Sequence, residues 1–423
     1  MPRVLPPRTR RATLLAAAGL SAAAMLVGCT AAPMPTPTPT PVETVAPSGD
    51  GVLRIGTLFP TTGSTAFLGA AQVAGVNAAI REINTAGGVL GAPVEVVNRD
   101  SGDATTETAE ASFAALVEKG VDVIVGPSSS VLAERLLPKA VEAGIPFISP
   151  AATYPQLTEL DTANRFFRTI PSYPHQGVLL GALLPEKKAT SVGLVTTGDE
   201  LSATIAAPLE AGLADHDGEL VATAEATAVS GVAAAVAKIT KAKPDAVVLA
   251  SPDNGELTRA LIVALTGAGY GGAKLWLTSQ NLADYSQALP AGTLNGANGV
   301  LEGVQPDDAF IAKLKVEDPG LIDARYAAEA YDAVMIAALA AILADDDGGP
   351  SIASRVVAAT RDGIRCTSFG ECLDVLATEP DIAYEGIAGP LRLDPAGDPT
   401  NASYGLYAYN GENKFARTGS VSG

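Results

Sequence analysis

Val121-Asp122-Val123-Ile124-Val125-Gly126-Pro127-Ser128-Ser129-Ser130 is the stretch that decides the fold. A short apolar run stops at a Gly-Pro turn, and three serines then open a helical pattern that lasts to about Ala143. Apolar runs of this length, bounded by turn residues and followed by helices, are strands of a parallel sheet covered on both faces. The unit recurs on either side. Upstream, residues 52–59 form a strand ended by Pro60-Thr61-Thr62-Gly63, and a helix follows over residues 67–84. The next strand and helix occupy residues 94–97 and 107–119, and Pro146-Phe147-Ile148-Ser149 is the fourth strand. After Arg168-Thr169-Ile170-Pro171 the pattern restarts, with strands near residues 192–196, 220–224, 246–250 and 275–277. Helices near residues 203–214, 232–241 and 255–268 separate them. A long helix is expected over residues 324–343, then a cysteine-bearing loop and a terminal strand pair. The expected fold class is α/β, in two doubly wound parallel-sheet lobes. No repeat of 20–50 residues is present, so a solenoid is excluded.

The N-terminus sets the compartment. Arg3, Arg8, Arg10 and Arg11 precede an apolar run from Ala12 to Met25, which closes on Leu26-Val27-Gly28-Cys29. A basic start, a short apolar stretch and small residues before a cut form an export signal, too short to span a bilayer. The cysteine just after the cut resembles the lipobox of bacterial lipoproteins, which implies that Cys29 is acylated and becomes the mature N-terminus. Thr9-Arg10-Arg11 also resembles a twin-arginine signal, so the export route stays open. The Pro/Thr alternation from Pro35 to Pro41 favours extended backbone without a core, and residues 29–50 are expected to form a tether.

Without residues 1–28 the chain keeps 24 basic and 46 acidic residues, a net charge of −22. So acidic a body repels phosphate backbones, which argues against nucleic acid as a partner. No later segment reaches the roughly 18 charge-free apolar residues of a spanning helix, so lipid is the expected anchor. Residues 327–344 come nearest, and Glu329 and Asp332 interrupt them. Besides Cys29 there are two cysteines, Cys366 and Cys372, with a glycine between them. Outside the cytoplasm such a close pair is expected to form a disulfide that pins a loop. The spacing fits a redox or metal site poorly, because it is not C-x-x-C. The two histidines, His175 and His216, lie far off in sequence, the first read as a loop or interlobe residue and the second as a solvated helix end.

In open parallel sheets, ligands bind beyond the carboxyl ends of the strands. Three such loops are rich in small and hydroxyl residues: Thr61-Thr62-Gly63-Ser64-Thr65, Gly126-Pro127-Ser128-Ser129-Ser130, and Ser149-Pro150-Ala151-Ala152-Thr153. Thr62, Gly63 and Ser129 are candidates because small residues let backbone N–H groups approach a ligand. A helix starting at Ser130 adds donors and a dipole suited to a carboxylate. Plain N-capping explains any one of these loops equally well. Three at successive strand ends favour a site.

Several fragments in order resemble the leucine/isoleucine/valine-binding protein family, the substrate-binding proteins of ABC importers for branched-chain amino acids. They are Leu53-Arg54-Ile55-Gly56 with Thr62-Gly63, Ala86-Gly87-Gly88-Val89-Leu90-Gly91, Val125-Gly126-Pro127 with Ser130, and Pro150-Ala151-Ala152-Thr153. Arg168-Thr169, His175-Gln176-Gly177 and Gly389-Pro390-Leu391-Arg392-Leu393-Asp394 with Gly397-Asp398 continue the likeness, which covers residues 52–410. The resemblance implies a type I periplasmic binding protein: two lobes joined by three crossovers that close on ligand. Residues 51–170 with 300–402 would form the first lobe, and residues 171–299 with 403–423 the second. The crossovers would fall at residues 170–173, 296–302 and 400–404. By the resemblance, Ser130, Ala151 and Thr153 hold the ligand's carboxylate and ammonium, and Tyr326 on the long helix lines the pocket.

The second lobe departs from the family pattern. Leu201 stands where amino-acid binders have a tyrosine, the stretch Ser251-Pro252-Asp253-Asn254 lacks another, and Leu68 replaces a third. Gln280 takes the place of the glutamate that pairs with the ammonium. A buried ammonium without a carboxylate is costly, so a simple branched-chain amino acid is not expected unless Asp253 or Asp284 substitutes. The expected ligand has a carboxylate or amide end and no amine at the other. The expected partners are that ligand, an ABC permease and ATPase complex, and the membrane through lipid alone; a monomer without cofactor is expected. A ligand-sensing lipoprotein receptor of the same fold is the alternative. An exported enzyme is disfavoured, because no nucleophile elbow, phosphate loop or metal-ligand histidine spacing appears.

Overall fold

The computed structural model describes residues 45–63, 66–160 and 163–422. The expected signal, Cys29 and the Pro/Thr run lie outside the described residues. The first lobe opens with β1 (Arg54–Phe59), α1 (Gly69–Thr85), β2 (Glu95–Asp100), α2 (Thr108–Glu118), β3 (Val123–Val125), α3 (Ser130–Ala143), β4 (Phe147–Ser149), α4 (Gln156–Glu159) and β5 (Phe166–Arg168). The chain then crosses to α5 (His175–Glu186), β6 (Ser191–Thr196), α6 (Glu200–Ala203), α7 (Ala206–Asp215), β7 (Glu219–Glu225), α8 (Val232–Ala242), β8 (Ala246–Ala250), α9 (Glu256–Leu265), β9 (Leu275–Leu277) and β10 (Asn298–Glu302). It returns as α10 (Asp308–Glu317), α11 (Ala327–Ala344), α12 (Gly349–Arg355), β11 (Ile364–Cys366), α13 (Phe369–Leu376) and β12 (Ile382–Tyr384). Finally β13 (Ser403–Tyr409) and β14 (Phe415–Ser422) close the second lobe.

The first sheet runs β2-β1-β3-β4-β5, all parallel. The second runs β14-β13-β10-β9-β8-β6-β7, parallel from β7 to β10 with an antiparallel edge of β13 and β14. Both are covered on two faces, and the alternation along the strands shows it. Val123 and Val125 face the core shared with α1 and α11, while Ile124 faces the core shared with α2 and α3. In the second sheet Val247 and Leu249 face one core, Ala246, Val248 and Ala250 the other.

α11 has the length and composition to cross a membrane, but Ala327 to Ala341 are all buried, and it is the core helix of the first lobe. Each lobe also has a point where strand order reverses, between β1 and β3 and between β6 and β8. Both points lie where a ligand crevice is expected.

Three expectations need correction, and a fourth is met. The tether was expected to reach residue 50, yet Asp346 accepts the N–H groups of Ser48 and Gly49, and Asp347 that of Gly51. These carboxylates at the end of α11 draw the chain onto the body before β1 begins. The second crossover was expected at residues 296–302, and 300–402 were assigned to the first lobe. Residues 298–302 are instead β10, hydrogen-bonded between β9 and β13, so the crossing comes at Gly303. His175 opens α5 rather than standing in a loop. The cysteines form the expected disulfide, which closes the loop between the end of β11 and α13 with both residues buried in the core.

Candidate ligand-binding cleft

β3 ends at Gly126, with φ +121° and room for no side chain, since a Cβ would lie 2.6 Å from the Leu58 carbonyl oxygen. The tight turn there aims residues 127–130 over the sheet's carboxyl end. Ser129 is the N-cap of α3, accepting the Leu132 N–H. Ser130 is thereby freed from capping. Its hydroxyl oxygen accepts the N–H groups of Thr153 (2.9 Å) and Tyr154 (3.2 Å), lacing the loop after β3 to the loop after β4. Ser149 reinforces the lacing, donating to the Pro127 carbonyl (2.6 Å) and accepting the Ala152 N–H (3.0 Å). With both acceptor positions used, the Ser130 hydroxyl keeps its own proton to donate. Ser130 and Thr153 are buried, and Ala151 between them is half-buried.

The second lobe meets this wall through Gln280, in a helical turn (Ser279–Asn281) that follows β9. Its side-chain amide donates to the Thr153 hydroxyl at 3.4 Å, spanning the two lobes. Asn281 anchors the turn by donating to the Leu249 carbonyl and the Ser251 hydroxyl, both at 2.9 Å. Gln176 of α5 holds it from the other side, accepting the Ser279 N–H (3.0 Å) and donating to the Ser279 hydroxyl (2.7 Å). Ser279 in turn donates to the carboxylate of Glu302 (3.0 Å), the last residue of β10. Burial pushes the Glu302 carboxyl up to about 7, against the lowering effect of the Ser279 bond.

The crossovers are joined to one another at the back of the cleft. Thr169 donates to the Glu329 carbonyl (2.8 Å), Val304 N–H to the Glu329 carboxylate (2.8 Å), and Gly303 N–H to the Ser403 carbonyl (2.9 Å). Tyr404 of β13 stacks on His175 of α5. Beside these segments lies a cavity of about 230 Å³, whose lining includes Glu302, Gly303, Arg325, Tyr326 and Tyr407.

Ser130, Thr153 and Gln280 therefore come together, with Ala151 between the first two; other candidates stand elsewhere. Thr62 and Gly63 are exposed, and Thr62 is tied to Asp100 through its N–H and hydroxyl. Burial raises the Asp100 pKa, but bonds from Thr62, Gly102 and Thr61 outweigh it and bring the carboxyl down to about 2. Leu68 is half-buried in the turn before α1, where its carbonyl accepts from Gln72. Leu201 is in the second lobe's hydrophobic core, because α6 turns its apolar side toward Ile205 and Leu209. Asp253 and Asp284 are exposed, each accepting an N–H two residues on, of Gly255 and Ser286. Tyr326 precedes the long helix instead of lying on it, as a left-handed N-cap with φ 60°. Gln176, Ser279 and Glu302 were missed as site residues. The signal for Glu302 was an acidic residue closing the apolar run Val300-Leu301 directly before a glycine.

Among the described residues no cluster of three or more His, Cys, Asp or Glu is placed to hold a metal ion. Two α/β lobes that meet through polar residues at their strand ends are the architecture of a two-lobe solute-binding protein. Residues 52–370 match the model of the periplasmic binding protein family, and the chain belongs to that family. Within it, the chain is of the leucine/isoleucine/valine-binding-protein-like, type I kind, a family whose members work outside the cytoplasm.

It is 27% identical to Leu/Ile/Val-binding protein homolog 1 of Brucella melitensis biotype 1 over 374 residues, which is 84% of this chain and 90% of that protein. The branched-chain amino acid transporter substrate-binding protein of Streptococcus pneumoniae, solved with isoleucine, superposes with a TM-score of 0.58 at 21% identity, over 87% of this chain and all of that one. A solute-binding protein of an ABC transporter from R. palustris, solved with benzoate, gives 0.55 at 22% identity, over 87% and 96% of the two chains.

Proposed function

We propose that the protein is a lipid-anchored solute-binding protein that holds a small ligand with a carboxylate or amide end between its lobes and delivers it to an ABC permease and ATPase complex. One observation supports this reading: Ser130 accepts the Thr153 N–H within the first lobe, and Gln280 of the second lobe reaches the Thr153 hydroxyl at 3.4 Å. The ligands named for the two solved relatives, isoleucine and benzoate, share only a carboxylate among their polar groups. A donating hydroxyl at a helix start suits that group.

Calorimetric titration of Ser130→Ala beside Ser129→Ala tests the reading. Ser130→Ala is expected to weaken binding, whereas Ser129→Ala removes a cap and leaves affinity intact. Equal affinities in the two variants would oppose it. The anchor is assigned to Cys29, and Cys29→Ser is expected to release exported, soluble protein. Unchanged membrane association of that variant in detergent-free fractions would remove the anchor from the account.

A further inference from the structure

We propose that Glu329 latches the hinge: protonated, it holds the crossovers in the closed arrangement, and ionised, it releases them, so that the lobes open and let ligand go as pH rises. This rests on the reading of the cleft given above and adds its regulation.

Glu329, in the first turn of α11, is only 1% exposed. Its carbonyl accepts from Thr169 at the start of the first crossover, and its Oε1 accepts the Val304 N–H of the second, both at 2.8 Å. The second is tied to the third through Gly303, whose N–H donates to the Ser403 carbonyl. Gly303 also lies against the carboxylate: a Cβ there would fall 3.0 Å from Oε1, and its φ of +104° is one that glycine adopts freely. The same glycine lines the 230 Å³ cavity. One residue thus covers the carboxylate and marks the point where the chain leaves β10, so a hinge turn about it brings water to Glu329.

The other oxygen, Oε2, is buried without a hydrogen-bond partner, and no salt bridge reaches Glu329 among the described residues. The groups around it offer no spare cation. On α11 the acid one turn on is Asp332, held by the Tyr384 hydroxyl and the N–H groups of Ile387 and Ala388. Just ahead of α11, Arg325 pairs with Asp323, and burial keeps the Tyr326 hydroxyl protonated. Arg168, beside Thr169, is committed to Asp398. Glu302, beside Gly303, is a further acid, and Tyr404, beside Ser403, is kept neutral by burial. The charged residues of α1, Arg81 and Glu82, pair with Glu317 and Lys313, and β3 and β4 carry none.

A carboxylate ionised in such a place is costly. Burial raises the Glu329 carboxyl to about 7 against the Val304 bond, and Asp332 adds to the rise. Ionisation and the closed crossovers therefore oppose one another, and opening relieves the cost by hydrating the group. Neither neighbouring acid is placed to do this. Asp332 is bonded within the first lobe, and Glu302 within the second, to Ser279 and Gln176. Glu329 alone of the three is bonded from a helix of one lobe to the crossovers.

Calorimetric titration at pH 6 and pH 8, in two buffers of different ionisation enthalpy, tests the proposal. The panel is leucine, phenylalanine, 4-methylpentanoate and benzoate, which keep their charges over that range. A carboxyl near 7 when closed and at an ordinary 4.5 when hydrated makes binding take up close to one proton at pH 6. By the same linkage, affinity should be roughly tenfold weaker at pH 8. Glu329→Gln is expected to bind equally at both pH values without that proton uptake, and Glu302→Gln to keep the wild-type pH dependence.

A wild-type affinity that does not fall with pH, a fall that survives Glu329→Gln or is removed by Glu302→Gln, or no binding by any member at pH 6 would overturn the proposal. Should Glu329→Gln fail to fold, the proton uptake of wild type and Glu302→Gln decides. Failure of the cleft itself reads differently: Ser130→Ala would then leave the affinity of every bound molecule unchanged at either pH.

Discussion

In the first lobe, the wall of the cleft is fixed by bonds within the lobe. Ser130 clamps the N–H groups of Thr153 and Tyr154, and Arg168, fully buried, donates to the carbonyls of Ala152 and Tyr154 while pairing with both oxygens of Asp398. In the second lobe, the wall is a short turn carrying Gln280, tied down by its own Asn281 and supported by Gln176 of α5 and Glu302 of β10. Backbone and hydroxyls on one side suit a group that many ligands share, such as a carboxylate. Side chains on the other side can change without disturbing the sheet. The first wall anchors and the second selects.

The largest effect should come from unlocking the first wall. Removing one partner of a buried ion pair leaves the other charge uncompensated, so Asp398→Ala is expected to cost about 3–5 kcal/mol of stability in denaturant unfolding. A loss within about 0.5 kcal/mol would show that the Arg168 lock is dispensable and the two walls are equally soft.

Next is the anchor itself. Ser130→Ala removes a donor to a charged group, worth about 1.5–3 kcal/mol, and should weaken ligand binding roughly tenfold to a hundredfold. Some stability should go with it, because two backbone N–H groups lose their acceptor. Ser129→Ala should cost about 1 kcal/mol of folding through the lost cap and leave affinity unchanged. That pair sharpens the comparison within the first lobe.

Gln280→Ala should cost less than the anchor variants, about 0.5–1.5 kcal/mol of binding, since its bond to Thr153 is long and neutral. If it costs as much as Ser130→Ala, the division between anchoring and selecting fails.

The smallest effect is a pH slope. Burial raises the carboxyls of Glu302 and Glu329 from an ordinary 4.5 to about 7. For Glu329 the cause is plain, as one carboxylate oxygen is buried without a partner. A raised carboxyl binds more protons in the folded state, so its contribution is fully present below about 4.5 and is lost as pH rises through about 7. The melting temperature should therefore fall by about a few degrees between pH 5 and pH 8. The double variant Glu302→Gln, Glu329→Gln should lessen that slope, leaving the part due to Asp122 and Asp332, whose carboxyls burial also raises to about 7, and a wild-type slope of opposite sign would contradict the assignment.

The strand-end loops of the first lobe were legible because their chemistry is local. A glycine needed at the end of β3, serines at a helix start and an Ala-Thr pair all lie within a few residues of a strand end. Of the second wall only Gln280 was legible, because its support comes from residues 176, 279 and 302, which only the folded sheet brings together. Leu201 and Asp253 follow strand ends as the pattern requires, yet one turns into the core and the other caps its own turn. The elements that were missed have similar causes. α5 contains Gly177 and Gly181, which weaken a helix in isolation, but a Cβ at Gly181 would lie 2.5 Å from the Gly212 backbone of α7. There glycine serves close helix packing. β10 carries Gly299 as its second residue, where a Cβ would meet Leu282 at 2.4 Å, and this hides the strand among turn residues.

The account turns on one molecule being held between the two walls. Small-angle scattering tests that most directly, on protein stripped of ligand by unfolding and refolding and then saturated with the tightest binder from the acid and amino-acid panel. The predicted result is a smaller radius of gyration with ligand, because the bound state alone is contacted from both lobes and is favoured by binding. A radius unchanged at saturation would contradict it.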